Sequence, residues 1–319
     1  MSRPLAFLGA MLFAAIAVSS ACIARTNPDA ISFELKPALQ GGQLQLALWD
    51  RTDGHHNNMS SNSYAAKDLA GLDTRAFAAS GRNPVYFAVV REAGRVDCTG
   101  TSSNSLARGN CKFSADHAFA DCLAAHGIAR PDRDQAFGLT MTQASRSLVE
   151  ALASNHYPRP SIDDLTALSA LDVTGDYIAA LASRGFRPKD LDGLTQFAAL
   201  QVTPDYIEGL KRAGYTRMDA DEIVQFKALD ITPQFISSLS AAGYSNLTAD
   251  QLVQFAALKI SPDFIRGFSQ AGFKNLDVDE LVQLKALNVT PEFVRSLEAH
   301  GLHPKSADQL VKLKIGLDD

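Results

Sequence analysis

Beyond its first two dozen residues, this 319-residue sequence has no apolar run approaching the ~20 residues that cross a bilayer. It has no excess of positive charge either: 30 lysines and arginines stand against 35 aspartates and glutamates, a formal net charge of -5. A mildly acidic chain offers no electrostatic reason to bind nucleic acid or an anionic membrane. Missing too are a His-Glu-x-x-His helix, a Gly-x-Ser-x-Gly elbow, a phosphate-cradling glycine loop and paired cysteines at zinc spacing. Zinc or copper needs three or four converging ligands, and the pair His55-His56 has no other His or Cys at a ligand spacing beside it. It reads as part of a solvated loop. The expectation is a protein without cofactor, metal or catalytic residues.

What the first residues do hold is an export signal. Arg3 supplies a short positive start, and Leu5 to Val18 contains only small and hydrophobic residues. Ser19-Ser20-Ala21 then offers a small-x-small cleavage site. Residues 1–21 are expected to be a signal peptide, cut after residue 21 or after residue 24. Cys22 adds a second expectation, a lipidated first residue, although Ser19 stands where a bacterial lipobox has an aliphatic side chain. Export places the chain in the periplasm or outside the cell, on a membrane only if lipidated at Cys22. Cysteines pair in such compartments. Three remain: Cys98, Cys111 and Cys122.

Residues 26–114 carry period-two patterns and are expected to form a small β-rich domain. Ile31 to Leu35 and Leu44 to Leu48 alternate as half-buried strands do. Pro84 to Val90 is a continuous apolar run that suits a central strand. Asp50 to Asn62 reads as a flexible polar loop, followed by short helical turns around Ala65 to Leu69 and Thr74 to Ala79. Val96 to Thr99 and Cys111 to Ser114 are expected to be strands flanking a hairpin loop, Gly100 to Asn110. The register that pairs Cys98 with Cys111 also pairs Val96 with Phe113 on the same face, so a Cys98–Cys111 bridge is expected.

Residues 115–317 repeat with a period of 29. The triplet Val/Ile-Thr/Ser-Pro recurs at 202, 231, 260 and 289, with Val173-Thr174-Gly175 as a variant. Thr or Ser is a good helix N-cap, and proline suits the first helical position. Each helix so begun stops at a glycine (Gly185, Gly214, Gly243, Gly272, Gly301) followed by an apolar residue, the Schellman pattern. A second helix begins at capping boxes such as Asp219 to Glu222, Thr248 to Gln251, Asp277 to Glu280 and Ser306 to Gln309. Extended backwards, the register predicts helix stops at His156 and Gly127 and boxes at Ser161 and Asp132. The expectation is an α-solenoid of seven helix-turn-helix repeats, giving an α+β chain that is mainly α. In this register Cys122 shares a column with Ala151, Ala180, Gly209, Ser238, Gly267 and Ser296. It is therefore expected to be a small buried residue with a free thiol, a bridge to Cys98 or Cys111 being the alternative.

Two columns are candidates for facing a partner. Gln196, Gln225, Gln254 and Gln283 form a ladder along the second helices, read either as hydrogen bonding between repeats or as a ligand-facing stripe. Glu208, Lys211, Arg212 and Arg266 stand on the freely varying faces of the first helices.

The pattern VTPxFI…LxxxGY…LxxDxLVQFxAL resembles helical repeats in uncharacterised exported bacterial proteins. It also looks like repeats appended to membrane metallopeptidases of the β-lactam-sensor type, where a β-rich piece similar to Pro84 to Ser114 often precedes them. Their zinc helix has no counterpart in these 319 residues, so no catalytic residue carries over. The resemblance implies an envelope sensing or binding module whose partner is a protein. Two other functions remain in view: a hydrolytic or ligand-binding site where the β-rich domain meets the repeats, and a soluble regulator of a sensor-type peptidase.

Overall fold

Alternation governs the first strands. In β1 (Ile31–Pro37) and β2 (Gln43–Asp50), Ile31, Phe33 and Leu35 are buried, as are Leu44, Leu46 and Leu48, while the residues between them are at least partly exposed. These coordinates come from a computed structural model, which describes residues 31–39, 41–50 and 58–318. The expected signal peptide, Cys22 and the His55-His56 pair lie outside the described residues. The chain is α+β, an N-terminal antiparallel half-barrel followed by helices.

Six strands form one sheet: β1 and β2 with β3 (Asn58–Ala65), and β4 (Asn83–Arg91) with β5 (Gly94–Ser103) and β6 (Leu106–Ala115). Their order is β3-β2-β1-β6-β5-β4, so two three-stranded meanders meet where β1 pairs antiparallel with β6. Three readings of this region need correction. The segment from Asn58 to Asn62 is not loop but part of β3, with Leu44 opposite Tyr64 and Leu48 opposite Ser60. A Ser- and Asn-rich strand is stable at a sheet edge, because its ladder uses backbone groups and its outward side chains meet water. Gly100 to Asn110 is likewise strand, except for a two-residue turn at Asn104 and Ser105. Both turn residues have positive φ (50° and 61°), the geometry of a type I′ hairpin. Finally, β4 is an edge strand rather than a central one. Val85, Phe87 and Val89 are buried, but Tyr86 and Val90 are 49% and 46% exposed.

The disulfide Cys98–Cys111 is formed, with both cysteines buried. Cys122 is a free thiol and only half-buried, less enclosed than its small column suggested. Between β3 and β4 the chain makes one 3-10 turn (Ala66–Asp68) and the short helix α1 (Thr74–Ala78), capped by Asp73.

Contacts group the chain into two compact units. One holds the described residues up to Phe87 with Asp97–Lys112, the other Ala88–Val96 with Phe113 onwards, so the β4–β5 tip is counted with the helices. Inside that second unit the tip is tied down by Arg146. Its backbone N–H and guanidinium both donate to Glu92 (2.9 and 3.2 Å), and the guanidinium also reaches Asp116 at 3.1 Å.

Fourteen described helices follow in two alternating series. The first comprises α2 (His117–Ala125), α4 (Arg146–Ser154), α6 (Gly175–Ser183), α8 (Pro204–Arg212), α10 (Pro233–Ala241), α12 (Pro262–Gln270) and α14 (Pro291–Ala299). The second comprises α3 (Arg133–Met141), α5 (Ile162–Ala170), α7 (Leu191–Ala199), α9 (Ala220–Ala228), α11 (Ala249–Ala257), α13 (Val278–Ala286) and α15 (Ala307–Asp318). Within each series the starts are 29 residues apart. Nearly every helix has nine residues, too short to stand alone in water, so caps and packing must hold it.

The caps are where the sequence placed them. Thr174, Thr203, Thr232, Ser261 and Thr290 each accept the N–H three residues on. Capping boxes are complete at Asp132, Ser161, Asp219, Thr248 and Asp277. At Ser306 the box is displaced: its hydroxyl caps Gln309, but the Gln309 side chain reaches the N–H of Lys305 instead.

Helices of the first series end at Gly127, His156, Gly185, Gly214, Gly243, Gly272 and Gly301, all with positive φ. The next residue sends its N–H back to the helix, as Tyr215 does to Leu210 and Tyr244 to Leu239. Helices of the second series end the same way without glycine. Gln143, Asp172, Gln201, Asp230, Lys259 and Asn288 hold φ between 50° and 64°, and Val202, Ile231, Ile260 and Val289 close the turns. A side chain in this left-handed region costs about 1 kcal/mol. Helices of the second series pack each on the next, α3 on α5, α5 on α7 and so on to α15, and in the first series α2 packs on α4, α4 on α6, α8 on α10 and α12 on α14.

Two outcomes follow from these ends and from the bridge. Lys259→Gly should raise folding stability by about 1 kcal/mol, while Gly214→Ala, at φ 105°, should lower it by at least as much. Urea midpoints moving in the same direction would refute the assignment. Replacing Cys98 and Cys111 together by alanine should cost about 3 kcal/mol of stability by the same measurement.

Candidate functional site

A surface on these helices is only as well placed as the contacts that set one layer against the next. Close approach does part of this. A Cβ on Gly209 of α8 would lie 2.7 Å from the Pro233 ring at the start of α10, so that position must stay bare. At the variant position 175 a Cβ would meet the Ser147 carbonyl oxygen at 3.0 Å and the Ala151 Cβ at 3.4 Å, another close approach at the small column.

Tyrosines do the rest. Tyr177 donates to the Val202 carbonyl and Tyr206 to that of Ile231, each at 2.7 Å. Tyr215 and Tyr244 reach the carbonyls of Leu247 and Leu276 in the same way. These long-range bonds take the place of the hydrogen bonding between repeats that the glutamine ladder suggested.

The glutamines face water instead. Gln196, Gln225, Gln254 and Gln283 lie on α7, α9, α11 and α13, all exposed, and none makes a side-chain hydrogen bond among the described residues. Four residues before each glutamine stands an exposed aspartate (Asp192, Asp221, Asp250, Asp279), and three after it an exposed alanine (Ala199, Ala228, Ala257, Ala286). At spacings of four and three these residues share one helix face. The aspartates are first-turn residues that the helix dipole favours, and alanine is the best helix former. Glutamine is also a good helix former, but its amides are left without a side-chain bond here. The aspartate and alanine columns escaped sequence reasoning, although the same 29-residue spacing reveals them.

The candidates on the first series are less uniform. Arg212 and Arg266 are exposed, the latter in a surface pair with Asp263. Glu208 is half-buried. Lys211 is committed elsewhere: its ammonium donates to the Arg184 carbonyl at 2.7 Å and lies 5.0 Å from the Phe186 ring centroid. It is a packing residue of α8 rather than an outward-facing one.

A cavity of about 380 Å³ is lined by the ends of α5 and α7 and by Tyr177. A second, of about 190 Å³, includes Asp116, His117 and Arg130, but Asp116 caps α2 and Arg130 pairs with Asp121 at 2.5 Å. Among the described residues, no three of His, Cys, Asp and Glu gather as metal ligands.

The groups with displaced titration are mostly those tyrosines. Burial pushes Tyr177 up to about 12, with Tyr157 adding to it. Burial raises Tyr206 further still, Asp230 contributing, and Tyr215 and Tyr244 rise for the same first reason. On the sheet, Arg108 and then Lys36 hold the Glu34 carboxyl below its ordinary range. No catalytic pair with pKa values pushed apart is among them.

Comparison of the chain with protein-family models, with curated proteins and with solved structures returns no match.

A raised tyrosine pKa means that the folded state keeps a proton the unfolded state loses at about pH 10. The stabilisation is whole below pH 10 and falls as pH rises towards 12 and beyond. Tyr206→Phe should therefore flatten the alkaline loss of stability above pH 10. At neutral pH it should cost about 1 kcal/mol for the lost bond to Ile231, as Phe235 fills the corresponding position without one. Denaturation followed from pH 7 to 12 measures both.

Proposed function

We propose that this chain is an exported, non-enzymatic scaffold of the bacterial cell envelope that binds another protein along its helices. In this reading residues 115–317 are seven copies of one 29-residue helix-turn-helix unit, stacked as an α-solenoid. Helix starts at constant spacing support it, as does the packing of successive second-series helices from α3 to α15. The observation that carries the functional reading is the glutamine column. Four identical amides, exposed and unbonded, recur at one position of successive second-series helices. Exposed positions on the first helices have diverged meanwhile, as Ala179, Ser237 and Arg266 do at one column. Side-chain amides that both donate and accept suit recognition of polypeptide. The buried Cys98–Cys111 disulfide supports an oxidising compartment, and with the apolar start of the chain it supports export.

Replacing Gln196, Gln225, Gln254 and Gln283 together by alanine should leave thermal unfolding unchanged and abolish crosslinking to a defined protein of the envelope fraction. A partner retained at full yield by the quadruple variant would defeat the proposal. Mass spectrometry of the mature protein should find Cys22, with or without a lipid, or Arg25 as the first residue. A chain still beginning at Met1 would remove export from it.

A further inference from the structure

One column of the helices holds a cation in three layers and an alanine in two. The third residue of each first-series helix from α6 onwards is aromatic: Tyr177, Tyr206, Phe235, Phe264 and Phe293. Over three of these rings lies the ammonium of a lysine 21 residues later. Lys227 sits 4.8 Å from the Tyr206 centroid, Lys285 4.5 Å from Phe264, and Lys314 5.6 Å from Phe293. These are distances at which a ring face attracts a cation. At Tyr177 the corresponding residue is Ala198, and the cavity of about 380 Å³ opens beside that alanine and that ring.

The cavity's composition matches the missing group. The residues lining it include Tyr177, Asp172 and Gln201, with Ala198, Ala199 and Thr203, and no lysine or arginine is among them. The Tyr177 hydroxyl is held by the Val202 carbonyl at 2.7 Å, which fixes the ring's orientation before anything binds. The other layer with alanine at the lysine position, Phe235 with Ala256, differs in charge: Lys259 stands there where Gln201 stands beside Tyr177. A second cation would be repelled there. The volume is that of a small-ligand site.

We propose that this cavity binds an organic ammonium group, with the Tyr177 ring taking the cation on its face and Asp172 balancing its charge. The lysines of the neighbouring layers show how such a group sits. The ammonium can belong to a free quaternary amine or to a lysine side chain of a polypeptide, and both present the same chemistry to the ring. The cavity borders the glutamine face at Ala199, but none of the four glutamines lines it.

The test titrates choline, its neutral isostere 3,3-dimethylbutanol, and Nα-acetyl-lysine amide into the full mature chain, followed by NMR of labelled tyrosine rings. Choline or the lysine derivative should shift the Tyr177 resonance, with the neutral isostere weaker by about fivefold or more. Whichever cation binds more tightly identifies the source. Ala198→Lys reproduces the arrangement of Lys227 over Tyr206, so it should fold at least as stably and lose the binding. Tyr177→Phe should keep binding and Tyr177→Leu should lose it. Equal binding of the neutral isostere, no shift with either cation, or full binding by Ala198→Lys would each overturn the proposal.

Discussion

The helical part depends on how a nine-residue helix is stopped. At each end of the first series a residue turns left-handed, and the next N–H returns to a carbonyl one turn back, as Ile231 returns to Phe226 at the end of the second. That closed turn sends the chain straight into the next N-cap and buries the apolar residue that follows it. Val202, Ile231, Ile260 and Val289 are fully buried for this reason. Helix length, loop length and the 29-residue spacing are all consequences of one stop repeated. Without it, helices this short would have neither fixed ends nor a common register.

The same economy explains why so many carboxylates carry no chemistry. Asp132, Asp219 and Asp277 are bound to backbone N–H groups as caps, and Glu222 and Glu280 reach back to close the boxes. Tyrosine hydroxyls are likewise taken up by carbonyls of the following layer. Groups with no such employment are therefore informative. Two stand out: the unbonded amides of the glutamine column on α7 to α13, and the ring face of Tyr177, which has Ala198 where its counterparts Tyr206, Phe264 and Phe293 have a lysine.

How legible was this in the sequence? Caps and glycine stops were, because each rests on one residue type in one backbone geometry. Left-handed ends at Gln201, Asp230 and Lys259 were not, because local propensity disfavours them and packing of the next residue overrides it. Polar strand β3 was hidden for a related reason: pairing with β2 uses backbone groups that every residue has. Val90 and Tyr86 made β4 look central, although an edge strand can leave apolar side chains in water.

Sequence alone determined the helix boundaries, the small column that admits Pro233, and the pairing of Cys98 with Cys111, since each follows from spacing along the chain. Only the tertiary structure decided which residues face solvent and which groups meet across layers. It took the glutamines out of any ladder, set Lys211 against Phe186, and left the Tyr177 ring without a lysine. The physical reason is range. Caps and turns are settled within a few residues, whereas exposure and contacts between rings and cations depend on chain segments some 20 to 30 residues apart.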